Sequence, residues 1–200
     1  MKIIDADFTE RRNFSFLLHQ RKVWHAVEVG TDRGHFARQL LSTSSWTGML
    51  WCIDPYLPYD GMNWNREADL AMAVAVLAPF VPRVRIVRAT SEEWIRVAQE
   101  WLPHIGFVYI DGDHTREAVA RDIATWWPIL KPGGILAGHD FCPPYAGVQE
   151  AVTQFAEEND LTVRVVYDVD SHSWFVEKPA PPPPPELPPD ELPPEGENQA

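Results

Sequence analysis

The chain has 200 residues, 45% of them apolar, which is enough for one domain with its own core and short of the length at which two are expected. A formal charge of −12, still −7 when the five acids of residues 179–200 (Glu186, Asp190, Glu191, Glu195, Glu197) are set aside, excludes the basic footprint of a nucleic-acid binder. Two distant cysteines, Cys52 and Cys142, suggest neither a disulfide framework nor a zinc cluster, and the absence of a signal h-region or a long apolar stretch predicts a cytoplasmic protein without a membrane partner.

Residues 1–22 contain early acids and one short apolar run, FSFLL, and no element is assigned to them. From Val23 onward, short apolar and often β-branched runs alternate with helical patterns, the signature of βαβ units around a parallel sheet. Strands are predicted at Val23–Val29, Met49–Ile53, Val84–Val87, Ile105–Ile110 and Ile135–Ala137, with helices at 35–42, 67–78, 91–101 and 115–127. Val119, Ile123 and Trp126 recur at helical spacing and read as a core stripe. GVQEAVTQFAEEN predicts a further helix, and LTVRVVY and SWFVEK predict two closing strands. The fold class is therefore α/β, a doubly wound, mostly parallel sheet with a terminal antiparallel strand. From Pro179 the sequence PAPPPPPELPPDELPPEGENQA predicts a disordered tail over 179–200 behind a domain of 1–178, either a solubilising spacer or a ligand for an SH3-type partner.

The segment AVEVGTDRGHFARQLL places Glu28 near a strand end and turns through Gly30, Thr31 and Gly34 into a helix. A plain strand-to-helix turn would use such glycines as well. The nicotinamide pattern GxGxxG fails, because Asp32 and His35 stand where it requires glycine. Asp54 ends the second strand, where a carboxylate holds the ribose hydroxyls of a nucleoside cofactor or caps the turn before Pro55. After the third strand, Ser91 reads as a helix N-cap, with Glu92 and Glu93 suiting the helix dipole; Trp94 then occupies the third helical position and no capping box is completed.

With these features the chain resembles the class I S-adenosylmethionine-dependent methyltransferases, whose loop ExGxGxG appears here as EVGTDRG with Asp32 at the central glycine. The resemblance implies S-adenosylmethionine as cofactor, contacted by Glu28, Gly30, Thr31, Gly34, Asp54 and Asp111, with Thr90 and Ser91 against the adenine. The block FVYIDGDHTREAVARDIATWWPILKPGGILAGHDF resembles the metal-dependent small-molecule O-methyltransferase branch. That resemblance implies Asp111 as a metal ligand, with His139 and Asp140 where the branch shows an acid followed by Asn or Asp. Two carboxylates and an imidazole would then hold magnesium or manganese.

His114, three residues after Asp111, stands near the position of the general base in that branch, and an ordinary pKa near 6.5 suits the task. Alternatively, Asp113, His114 and Thr115 cap the next helix while His139 and Asp140 line a polar loop. Tyr56, Tyr59, Met62 and Trp64, with Phe141 and Tyr145, offer either an aromatic lid over a small-molecule acceptor or a homodimer interface. The leading expectation is methyl transfer to a hydroxyl. The alternatives are a nicotinamide-dependent oxidoreductase on a related fold and a noncatalytic binding module.

Overall fold

A strand covered on both faces is apolar throughout rather than alternating, and Ile105–Ile110 (β5) is buried at all six positions. In the computed structural model, which describes residues 1–58, 65–98, 100, 104–169 and 171–180, β5 lies inside an eight-stranded sheet. The other strands are Lys2–Asp5 (β1), His25–Val29 (β2), Met49–Ile53 (β3), Val84–Val87 (β4), Ile135–Gly138 (β6), Thr162–Val166 (β7) and Ser173–Glu177 (β8). Their order is β1-β7-β8-β6-β5-β2-β3-β4. All neighbours are parallel except β8, which runs antiparallel between β6 and β7.

Helices Phe14–Gln20 (α1), His35–Leu41 (α2) and Arg66–Leu77 (α3) supply Phe14, Leu18, Phe36, Leu40 and Leu77 to one face, packed with Leu50, Phe107 and Phe175. Helices Ser91–Val97 (α4), Arg116–Trp126 (α5) and Ala146–Glu158 (α6) bring Trp94, Ile123, Trp126 and Val152 against Val27, Val108 and Leu136 on the other. Each such aliphatic side chain, fully buried, contributes about 1.5–3 kcal/mol of transfer free energy. The sheet is thus doubly wound, as the alternating pattern predicts. Among the described residues no helix is long and apolar enough to cross a membrane.

Two elements, β1 and α1, fall in the segment where the sequence suggested none. β1 is four residues long, exposed throughout at the sheet edge, and so carries no buried-face alternation. α1 buries Phe14 and Leu18, one turn apart, within only seven residues. The helix expected over 91–101 ends at Val97. The tail beyond residue 180 and the lid candidates Tyr59, Met62 and Trp64 lie outside the described residues.

Register puts the candidate residues in one row. The Gly30 N–H donates to the Ile53 carbonyl (2.9 Å), Asp111 N–H to Val29 (2.8 Å), His139 N–H to Ile110 (3.0 Å) and Asp54 N–H to Val87 (3.1 Å). All four stand at carboxyl-terminal strand tips around the β2/β5 switch point, where open α/β sheets bind their ligands.

Candidate active site

The loop after β2 is shaped by left-handed backbone. Gly30 (φ 85°) and Gly34 (φ 77°) flank Asp32, which takes φ 48° in place of a third glycine. Asp is among the few residues that tolerate this region. A Cβ at Gly30 would lie 2.2 Å from the Asp111 carbonyl oxygen, so this glycine lets two strand tips touch rather than making room for a ligand. Gly34 opens α2.

A cavity of about 730 Å³ runs along the strand tips. Its lining includes Glu28, Gly30, Thr31, Asp54, Thr90, Ser91, Asp111, His114, His139 and Asp140. Of the predicted site residues only Gly34 stays out of the wall, packed instead against Leu77. Glu28 is 1% exposed, and burial together with the nearby Asp111 carboxylate pushes its pKa up to about 8. Glu28 Oε2 and Thr31 Oγ1 lack a partner of good hydrogen-bond geometry among the described residues, although Thr31, Cys52 and the Ala37 backbone lie close enough to the carboxyl to favour its charged form. Such atoms on a cavity wall fit a polar ligand that is to complete them.

Asp54, 4% exposed, is held from three sides. Its Oδ2 accepts the Asp32 N–H (2.9 Å), its Oδ1 accepts the Tyr56 N–H (2.7 Å), and Arg66 donates to both oxygens at 3.1 and 3.3 Å. Arg66 also reaches Asp32 (2.8 Å) and Asp69 (2.9 Å). The sequence analysis missed this arginine, although a cation in the first turn of a helix, against the dipole, was the available signal.

At the α4 end the helix starts one residue earlier than the expected cap implied. Thr90, not Ser91, is the N-cap, so Glu93 occupies the third position and a reciprocal capping box forms after all. This frees the Ser91 hydroxyl, which accepts from Trp126 Nε1 (3.0 Å) and donates to Asp122 (3.2 Å). Burial pushes the Asp122 pKa up to about 6. Asp122 lines the cavity beside Thr90 and Ser91 and was also missed.

At the other end Asp140 (φ 60°) accepts from Ser171 Oγ at 2.7 Å, with His114 Nε2 at 2.8 Å and His139 Nδ1 at 3.2 Å. Burial opposes its ionisation, but these three contacts outweigh it and hold the carboxyl well below the usual range. The hydrogen bond to Asp140 raises the His114 pKa above its ordinary value. Thr115, not His114, caps α5, while Asp113 accepts from the Thr115 N–H (2.8 Å). The capping role therefore falls on the neighbours and leaves the His114 ring to the cavity.

A family model described as a methyltransferase domain matches residues 27–141, from the middle of β2 to just past Asp140. The chain belongs to that methyltransferase family. The nicotinamide reading gives way to it. Solved structures of similar fold include the O-methyltransferase from Bacillus cereus in complex with SAH, at 14% identity over 84% of this chain and 80% of that one (TM-score 0.62). A Streptomyces achromogenes O-methyltransferase of tomaymycin synthesis, in complex with SAM, matches at 15% over 84% and 79% (0.57). A SAM-dependent O-methyltransferase from Thermotoga maritima matches at 16% over 86% and 65% (0.61).

The methyltransferase brings the three predicted metal ligands, Asp111, His139 and Asp140, within 4.8 Å of one another. Their chemistry departs from expectation because Arg11, unassigned by the sequence analysis, enters beside them. Its Nη1 lies 3.2 Å from His139 Nε2. Arginine only donates, so Nε2 accepts and the ring proton sits on Nδ1, facing Asp140 and Asp111 (3.6 Å). Burial opposes charging of this ring and the two carboxylates favour it, while the Arg11 contact requires a lone pair on Nε2. In that tautomer Nδ1 carries the proton and offers no lone pair. The set as arranged does not fit a divalent cation.

Proposed function

We propose that this methyltransferase uses S-adenosylmethionine to methylate a hydroxyl of a small molecule. The observation that carries the reading is that the His114–Asp140 pair opens on the same cavity as the glycine loop, Glu28 and Thr31. The SAH and SAM bound in the Bacillus and Streptomyces relatives support the choice of cofactor.

In this reading the adenine lies towards Thr90, Ser91 and Asp122, the ribose towards Asp54, and the amino-acid end against Glu28, Thr31 and the loop at Gly30. Bound there, the cofactor supplies an electrophilic methyl carbon on a sulfonium and leaves as a neutral thioether. The chain's own task is to align the acceptor oxygen and take its proton. In neutral His114, Nε2–H donates to Asp140, which leaves Nδ1 with the lone pair that receives the hydroxyl proton. Asp140 fixes this tautomer and steadies the imidazolium that follows, as a buried carboxylate does for a histidine base elsewhere. Leu57, Pro58 and Tyr145 line the cavity and offer an apolar rim to the acceptor.

Calorimetric titration with S-adenosylhomocysteine tests the reading. Saturable binding that is lost in Asp54→Ala is expected. No binding of this ligand, together with binding of a nicotinamide dinucleotide, would sink it.

A further inference from the structure

Arg11 comes from a stretch of sequence far from the motifs, yet the fold delivers it into the acceptor end of the cavity. It is held there from several directions. Its backbone N–H donates to Asp168 Oδ2 (3.0 Å), and its Nε lies 3.9 Å from the same carboxylate. Its guanidinium carbon sits 6.0 Å from the centroid of the Phe36 ring, a cation–π distance, and Nη1 meets His139. Asp111 and Asp140 contribute two negative charges to this end, and a positive partner is required to hold them in a half-buried site.

We propose that Arg11 is that partner and takes the place of a divalent metal, so that this methyltransferase works without one. The inference rests on the methyltransferase reading above and assigns its positive charge. Two effects follow from one contact. The guanidinium claims the only lone pair of the His139 ring, which removes the third ligand. It also places a permanent charge within Coulombic reach of the Asp111 carboxylate, and a cation repels a second cation. His139 takes one of the five N–H donors of the guanidinium; those that remain on the cavity side serve an acceptor oxygen as it becomes anionic. The transfer balances without a further reactant. The acceptor oxygen bonds to the methyl carbon, the carbon–sulfur pair stays on sulfur, and the proton goes to His114.

The test follows the ring nitrogens and the metal separately from turnover. Two-bond ¹H–¹⁵N spectra, with His139 identified by its loss in His139→Gln, are expected to show a protonated Nδ1 that does not change on adding MgCl₂. Titration of the wild-type protein with MnCl₂ is expected to give no saturable binding up to about 1 mM. Arg11→Ala frees Nε2 to carry the proton and is expected to bind manganese at least about tenfold more tightly than the wild type. An unprotonated Nδ1, or saturable manganese binding in the wild type that is lost in Asp111→Asn, overturns the proposal. So does Arg11→Ala with no gain in manganese affinity. S-adenosylhomocysteine titrated into the same samples separates the two readings: loss of that binding counts against the methyltransferase assignment, whereas the metal result bears on Arg11 alone.

Discussion

The guanidinium of Arg66 lies across both carboxylate oxygens of Asp54, at 3.1 and 3.3 Å, with the two side chains 8% and 6% exposed. The acid at the tip of β3 is thereby fixed in direction before any ligand arrives. The same guanidinium holds Asp69, which is equally buried. Removing it leaves two buried anions without their main cation. Arg66→Ala is expected to lower stability by about 3–5 kcal/mol, read as a shift in the urea midpoint at unchanged slope. A loss under about 1 kcal/mol would show that water replaces the arginine freely.

Glu28 gives a pH dependence of definite sign. Its folded pKa, pushed up to about 8, lies above that of the unfolded chain, so the native state holds a proton that the unfolded state has already released. Its contribution to stability is complete below the unfolded value and is lost as pH rises through about 8. Glu28→Gln keeps the shape and abolishes the titration. Relative to the wild type, this variant is expected to gain up to about 1.4 kcal/mol per pH unit between pH 5 and 8, levelling off above. Denaturant curves at four pH values measure it; parallel curves for the two proteins would refute the buried, protonated Glu28.

Asp122 makes a base-specific prediction. Its carboxylate, tied to Ser91, lines the α4 end of the cavity and, in the proposed cofactor pose, would accept from the exocyclic amine of adenine. S-adenosylhomocysteine is therefore expected to bind about tenfold more tightly than its inosyl analogue, which presents a carbonyl at that edge. Asp122→Asn, whose amide can donate, is expected to narrow the gap. Equal affinity for both ligands in the wild type would remove Asp122 from the adenine site.

His114 titrates above its ordinary value because Asp140 holds its Nε2–H. The stability this pair contributes is present below the unfolded histidine pKa and is lost as pH rises through the folded one. In Asp140→Asn the His114 proton resonances are expected to titrate at lower pH than in the wild type. With an acceptor in hand, His114→Ala is expected to lower the rate by about 10²–10⁴-fold. An unchanged midpoint in Asp140→Asn would break the dyad.

The sheet was legible because burial on both faces writes itself as continuous apolar runs, and Met49–Ile53, Val84–Val87 and Ile105–Ile110 fall where those runs fall. Asp54, Asp111, His139 and Asp140 were legible for a related reason, since a polar residue that ends such a run marks a strand tip. Arg11 was not, because nothing local records that residues 1–20 pack across the sheet. The helix start at Thr90 was misplaced by one residue, since Thr and Ser are nearly equal as caps and the choice between them is settled by Trp126 and Asp122, 35 and 31 positions away. The lone pair of His139 was hidden in the same way. A sequence shows which side chain is present, not which of its atoms a distant neighbour has already taken.

Among the described residues the opening strand β1 pairs only with β7, and Arg11 is anchored by Asp168 just beyond that strand. Arg11 is therefore seated against a partner 157 positions away along the chain. The wall built from residues 28–122 is braced by contacts within that stretch, Asp54 with Arg66 and Ser91 with Asp122, whereas the acceptor end needs the segments around residues 11 and 168 together. The acceptor end is thus tied to the long-range closure of the sheet in a way that the α4 end is not.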